Sequence, residues 1–137
     1  MSRSRRIAAA LGLVSGAAVA FVLLFPDGWA INRFYVSVYL IGLHTFGIPP
    51  SVTPEWYAAL GNLLLFIPLT ACAAIVWPKV RWWIWPVGVL VLSGTFEVVQ
   101  SFIGREPSLG DVALNTGGAL VGAAVVGIRR ARRTSEG

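Results

Sequence analysis

The sequence predicts an all-α integral membrane protein with four transmembrane helices and an additional interfacial or re-entrant segment between the first and second. Three observations carry that expectation. Hydrophobic residues make up 56% of the 137 positions and charged ones only 12%, with a mean hydropathy of +0.74, well outside the range of an ordinary soluble domain of this size. Four apolar runs reach or approach the roughly 20 residues that a helix needs to cross a bilayer. Most of the basic residues sit in clusters beside those runs, so the formal charge of +5 reads as membrane topology and not as a nucleic-acid surface. A single membrane domain over residues 1–137 is expected, with no room for a separate soluble one.

The first span is expected over residues 7–25, behind Arg3, Arg5 and Arg6 and ahead of the turn signal Pro26-Asp27-Gly28. A basic start, an apolar stretch and the small residues Ala18-Val19-Ala20 also imitate a cleavable signal peptide. Phe21 to Phe25 carries the apolar run on to a spanning length and favours the membrane helix.

Residues 32–47 are the interfacial or re-entrant segment. Its apolar part is short for a span. Arg33, Ser37 and His44 fall on one helical face, with Tyr35, Val38, Tyr39 and Ile41 largely elsewhere. Pro49, Pro50 and Pro54 are expected to break the chain before the next element.

The second span is expected over residues 60–77, with Asn62 near its start and a kink at Pro68. A basic turn, Pro78-Lys79-Val80-Arg81, leads to the third span at 82–103, whose start carries Trp82, Trp83 and Trp85 as an interfacial belt. The fourth span, 111–128, is expected to stop at the cluster Arg129, Arg130, Arg132 and Arg133. With four spans, nine of the 11 Lys and Arg residues fall on one side, leaving Arg33 and Arg105 on the other. The excess marks the cytoplasmic side and puts both termini there.

Within this hydrocarbon, Asn62, Glu97, Gln100, Arg105, Asp111 and Asn115 stand out. Polar side chains at membrane depth are costly, about 2.5–3.5 kcal/mol for Asp or Arg at a helix centre on insertion scales, so they persist where they face one another or water. The topology puts all six at the outer side. Glu97 and Gln100 are three apart and share a stripe with Ser93; Asp111 and Asn115 are four apart and share a face with Gly118 and Gly122. Gly118-x-x-x-Gly122 is a close-packing motif.

Each residue also has a purely structural role open to it. Ser108-x-x-Asp111 reads as a capping box, the amides of Asn62, Gln100 and Asn115 as interhelical hydrogen bonds, and Arg105 as a partner for a carboxylate. His44 is either an interfacial side chain or, were its segment folded over the cluster, a base. Cys72 is the only cysteine, no metal-ligand cluster is visible, and Gly117-Gly118 lacks the Lys of a phosphate loop. No cofactor or metal is expected.

Asn62-Leu63-Leu64-Leu65-Phe66-Ile67-Pro68-Leu69, Glu97-x-x-Gln100, Gly104-Arg105 and Asp111-x-x-x-Asn115-Thr116-Gly117-Gly118 with Gly122 resemble the VanZ-like family of bacterial membrane proteins. The resemblance covers about residues 62–122. It implies a multi-pass protein of the bacterial cytoplasmic membrane, with functional positions at Asn62, Glu97, Gln100, Arg105, Asp111 and Asn115, and a family link to low-level resistance to the glycopeptide teicoplanin. Ser108 departs from the pattern, since many relatives are acidic there, which counts against a mechanism needing a second loop carboxylate.

The expected function is an outward-facing polar pocket that binds a cell-envelope ligand: a lipid-linked wall precursor, a lipid headgroup or a glycopeptide. Membrane lipids are the expected partners and nucleic acid is not. An enzyme using Glu97 or Asp111 as base and a structural membrane subunit remain as alternatives; the sequence fixes no catalytic residue and no oligomeric state.

Overall fold

A computed structural model describes residues 2–24, 28–102 and 107–135. The described residues form five helices: α1 (Arg3–Leu24), α2 (Gly28–Phe46), α3 (Pro54–Val76), α4 (Ile84–Phe102) and α5 (Leu109–Ser135). Four of them, α1, α3, α4 and α5, are long and apolar enough to cross a membrane. Their outward faces are apolar, with Leu13 76% and Phe102 83% exposed, as suits contact with lipid rather than water. The turn expected at Pro26-Asp27, the end of the first span at Phe25, and the Gly104-Arg105 segment lie outside the described residues.

Helix ends differ from the apolar boundaries for local reasons. Pro54 opens α3 at its first position, where a missing N–H costs nothing, and Thr53 before it is extended. The proline expected to interrupt the chain therefore starts a helix. Pro68 lies inside α3, which continues through it. At the other end of the chain, α5 runs past Arg129 to Ser135, because arginine is a good helix former and hydropathy marks a membrane boundary, not a helix end. The segment expected from residue 32 begins at Gly28. It ends at Gly47, whose φ of 64° is open to glycine and lets the Ile48 N–H donate back to the Gly42 carbonyl at 3.2 Å.

The centre of the bundle is α3, packed against α1, α2 and α5, while α4 packs mainly on α5. Val19, Phe66, Val89 and Ala119 form the core where α1, α3, α4 and α5 meet, flanked by Leu65 and Leu69. The tightest contact is between α3 and α5. A Cβ added at Gly118 would fall on the Leu63 carbonyl oxygen, and one at Gly122 on the Ile67 carbonyl oxygen, so the small-residue motif does bring two backbones together. Thr70 crosses the same interface, its hydroxyl within 3.1 Å of the Ala119 carbonyl and 2.8 Å of its own helix's Phe66 carbonyl.

Two cavities fix how the helices alternate. Val22 of α1, Ala58 of α3, Glu97 of α4 and Asp111 of α5 line one; Arg5 of α1, Ile75 of α3 and Arg129 of α5 line the other. Hence α1 ends, α3 starts, α4 ends and α5 starts at one end of the bundle, while both chain ends meet at the opposite one. Since α1 delivers the chain to the end where α3 begins, α2 leaves and returns on the same side and makes no net crossing. The turn between α3 and α4 sits with the chain ends. There Trp77 and Trp85 rings lie 5.8 Å apart, Arg81 stands 5.7 Å over the Trp83 ring, and Trp82 packs on Gly127. Arg130 donates to the carbonyls of Ala74 and Pro78, supplying partners for the otherwise open end of α3.

Candidate functional site

Five helices contribute to one polar cavity of about 190 Å³. Asn62 comes from the third turn of α3, with Ala58 one turn earlier on the same face. Glu97 and Gln100 come from the last turns of α4, Asp111 and Asn115 from the first turns of α5. Of the six residues singled out in the sequence, these five are brought together; Arg105 lies outside the described residues.

Two polar lining residues escaped the sequence reading. Asn32 and Tyr35, three apart on α2, line the cavity together with Val22 of α1. The signal for Asn32 was available: the chain has three asparagines and one glutamine, and all four carboxamides line this cavity. Their convergence requires α2 to lie over the start of α3, which it does through Tyr35 against Gly61 and an edge-on contact, 6.1 Å between centroids, of Tyr39 with Tyr57. Burial, with the Asp111 charge adding to it, pushes the Tyr35 phenol above its ordinary range, so it stays a neutral donor at physiological pH. His44 is exposed in the last turn of α2, some 13–14 Å along the helix from Tyr35 at 1.5 Å per residue, and does not line the cavity.

The start of α5 shows how the two carboxylates divide their work. Ser108 is the cap: its Oγ accepts from the Asp111 N–H at 3.2 Å. In a complete capping box the Asp111 side chain would return a bond to the Ser108 N–H. Here the Ser108 N–H donates instead to Glu97 Oε2, at 2.6 Å, from the neighbouring helix. Glu97 thereby ties α4 to the positive end of α5. Asp111, relieved of the return bond, lines the cavity.

Asn115 is held from the same side. Its Nδ2 donates to Ser93 Oγ at 2.8 Å, one turn before Glu97 on the stripe read from the sequence. Its Oδ1 is buried and has no hydrogen-bond partner, although the residue is only 2% exposed. The interhelical bond expected of this amide is present, and it uses half of the group. Among the described residues, no group of three or more His, Cys, Asp or Glu side chains is placed to hold a metal ion.

The VanZ/LLP1 family model matches residues 11–130. The chain belongs to the VanZ/LLP1 family. The match reaches well before Asn62, where the sequence motifs begin, and takes in α2 and most of α1 and α5. No curated protein sequence and no solved structure matches the chain.

Proposed function

We propose that this VanZ/LLP1 protein binds the polar head of a cell-envelope lipid in the cavity between α2, α3, α4 and α5. The observation that carries the reading is Asn115, a cavity-lining residue whose Oδ1 is buried and unpartnered. An unsatisfied buried acceptor costs about 1–3 kcal/mol. Exchanging the amide oxygen and nitrogen would only leave the nitrogen unpaired instead. A ligand donor completes it. Two carboxylates, three further amides and a phenol around the same space favour a head rich in hydroxyl or amino groups, such as the sugar of a lipid-linked wall precursor or a polyol headgroup.

Two further features favour a lipid over a free glycopeptide. The volume of about 190 Å³ is below the ~300–1,000 Å³ that encloses drug-sized ligands, and suits one head group. A second cavity, of about 460 Å³ and almost wholly apolar, shares Val22 and Tyr35 with the polar one and follows α1 as far as Val14. A hydrocarbon chain in it would leave its head beside Asn62. The family resemblance adds Arg105, whose guanidinium would suit a lipid phosphate.

The excess of Lys and Arg at the opposite end supports a cytoplasmic side there, and with it an outward-facing cavity in the bacterial cytoplasmic membrane. Binding of a wall precursor there would connect the protein to glycopeptide resistance. The experiment is mass spectrometry of lipids retained by the purified protein. Wild type should carry one polar-headed species above the bulk lipids, and Asn115→Leu, which keeps the volume and removes the acceptor, should lose it. Turnover of that lipid by wild type but not by Asp111→Asn would move the reading to an enzyme.

A further inference from the structure

The opposite end of the bundle holds a cavity the outer site does not use. It measures about 460 Å³ and is lined by Ser2, just before α1, by Arg5 in the first turn of α1 and by Arg129 and Arg130 from α5, with Ile75 and Val126 forming its apolar wall. Three arginines from the two ends of the chain thus line one space, and among the described residues lining it none is acidic. The described carboxylates, Glu55, Glu97 and Asp111, belong to the other end. Arg130 is positioned by its bonds to the Ala74 and Pro78 carbonyls, so part of the basic wall is built into the fold. The first turn of α1 adds the partial positive charge of a helix N-terminus.

We infer that this cavity is a binding site for a phosphate-bearing anion, supplied by the headgroup of an anionic phospholipid in the leaflet around the chain ends. Like charges gathered in a partly enclosed space repel one another, and an anion between them converts that repulsion into attraction. Arginine suits phosphate because its planar fork donates two parallel hydrogen bonds. Basic pockets between helix ends beside the headgroup layer hold anionic lipids in this way. Ile75 and Val126 give the first carbons of the acyl chains an apolar surface. The site is independent of the outer cavity, at the other end of the helices.

The test uses the full-length protein in mild detergent, with phosphatidylglycerol, phosphatidylcholine or inorganic phosphate as probes. Phosphatidylglycerol should raise the melting temperature of wild type more than phosphatidylcholine does. Arg5→Gln with Arg129→Gln should weaken phosphatidylglycerol binding about 30-fold, equivalent to ~1 kcal/mol for each basic residue removed. Arg130 is left intact because it also bonds to the end of α3. Arg3→Gln with Arg132→Gln removes the same charge outside the cavity and should bind as wild type, which separates the site from a general attraction. Stabilisation by inorganic phosphate equal to that by phosphatidylglycerol would support the anion site and assign it to free phosphate. Equal effects of the two lipids, or equal losses in the two double variants, would overturn it.

Discussion

The backbone N–H of Ser108 donates to Glu97 Oε2 at 2.6 Å, and that bond decides what the neighbouring Asp111 does. A carboxylate from α4 completes the cap of α5, so the carboxylate that the capping motif contains is left on the cavity wall. Glu97→Ala should leave the Ser108 N–H without its partner and destabilise the protein by about 1–3 kcal/mol. Glu97→Gln keeps an acceptor and should cost roughly half as much. Thermal unfolding in detergent checks the order, and equal melting of wild type and Glu97→Ala would remove the bond from the account.

At two glycines the contact of α3 with α5 leaves no room for a Cβ. Gly118→Ala and Gly122→Ala should each destabilise by ~1–3 kcal/mol, because backbone oxygens occupy the space a Cβ needs. Gly88→Ala and Gly94→Ala on α4 meet nothing within 4 Å and should be neutral or stabilising by up to ~1 kcal/mol. Melting temperatures of the four variants give the comparison directly.

Ser93 does not line the cavity but holds Asn115 through its Oγ. Ser93→Ala should cost only about 0.6 kcal/mol of stability, the average for an interhelical hydrogen bond in a membrane, yet lower ligand retention by freeing the amide to turn. Ser93→Thr, which keeps the hydroxyl, should restore retention. Comparing lipid content with melting temperature separates positioning from stability.

Tyr35 gives a pH dependence of known sign. Its phenol is raised by burial and by the Asp111 charge, so the folded state holds the proton more tightly than the unfolded one. Its contribution is therefore complete below the ordinary phenol value near 10 and is lost as pH rises from there through the raised folded-state value. Melting temperature should fall more steeply above about pH 10 in wild type than in Tyr35→Phe.

Hydropathy and charge made the four spans legible, because the cost of placing polar groups in lipid is written in single residues. The same cost revealed Asn62, Glu97, Gln100, Asp111 and Asn115, which the fold does bring to one cavity. What escaped was interhelical. Asn32 and Tyr35 sit on a segment from which only one face, that of Arg33, Ser37 and His44, was read, and all three of these are exposed; which of its other residues would meet α3 depends on packing. The bond from Glu97 to Ser108 could not be read either, since a capping pattern specifies only its own helix. The bounds of α3 and α5 follow from backbone preferences of Pro54 and the arginines, to which hydropathy is blind.

The central claim is that Asn115 Oδ1 accepts a bond from a lipid head, and its side-chain amide reports on that bond. The protein's three asparagines, all lining the cavity, can be isotope-labelled together and their amide resonances followed by NMR in bilayers. With native envelope lipids the Asn115 resonance should shift from its position in phosphatidylcholine alone, and Asp111→Asn should reduce the shift. An Asn115 resonance identical in both bilayers would contradict the account.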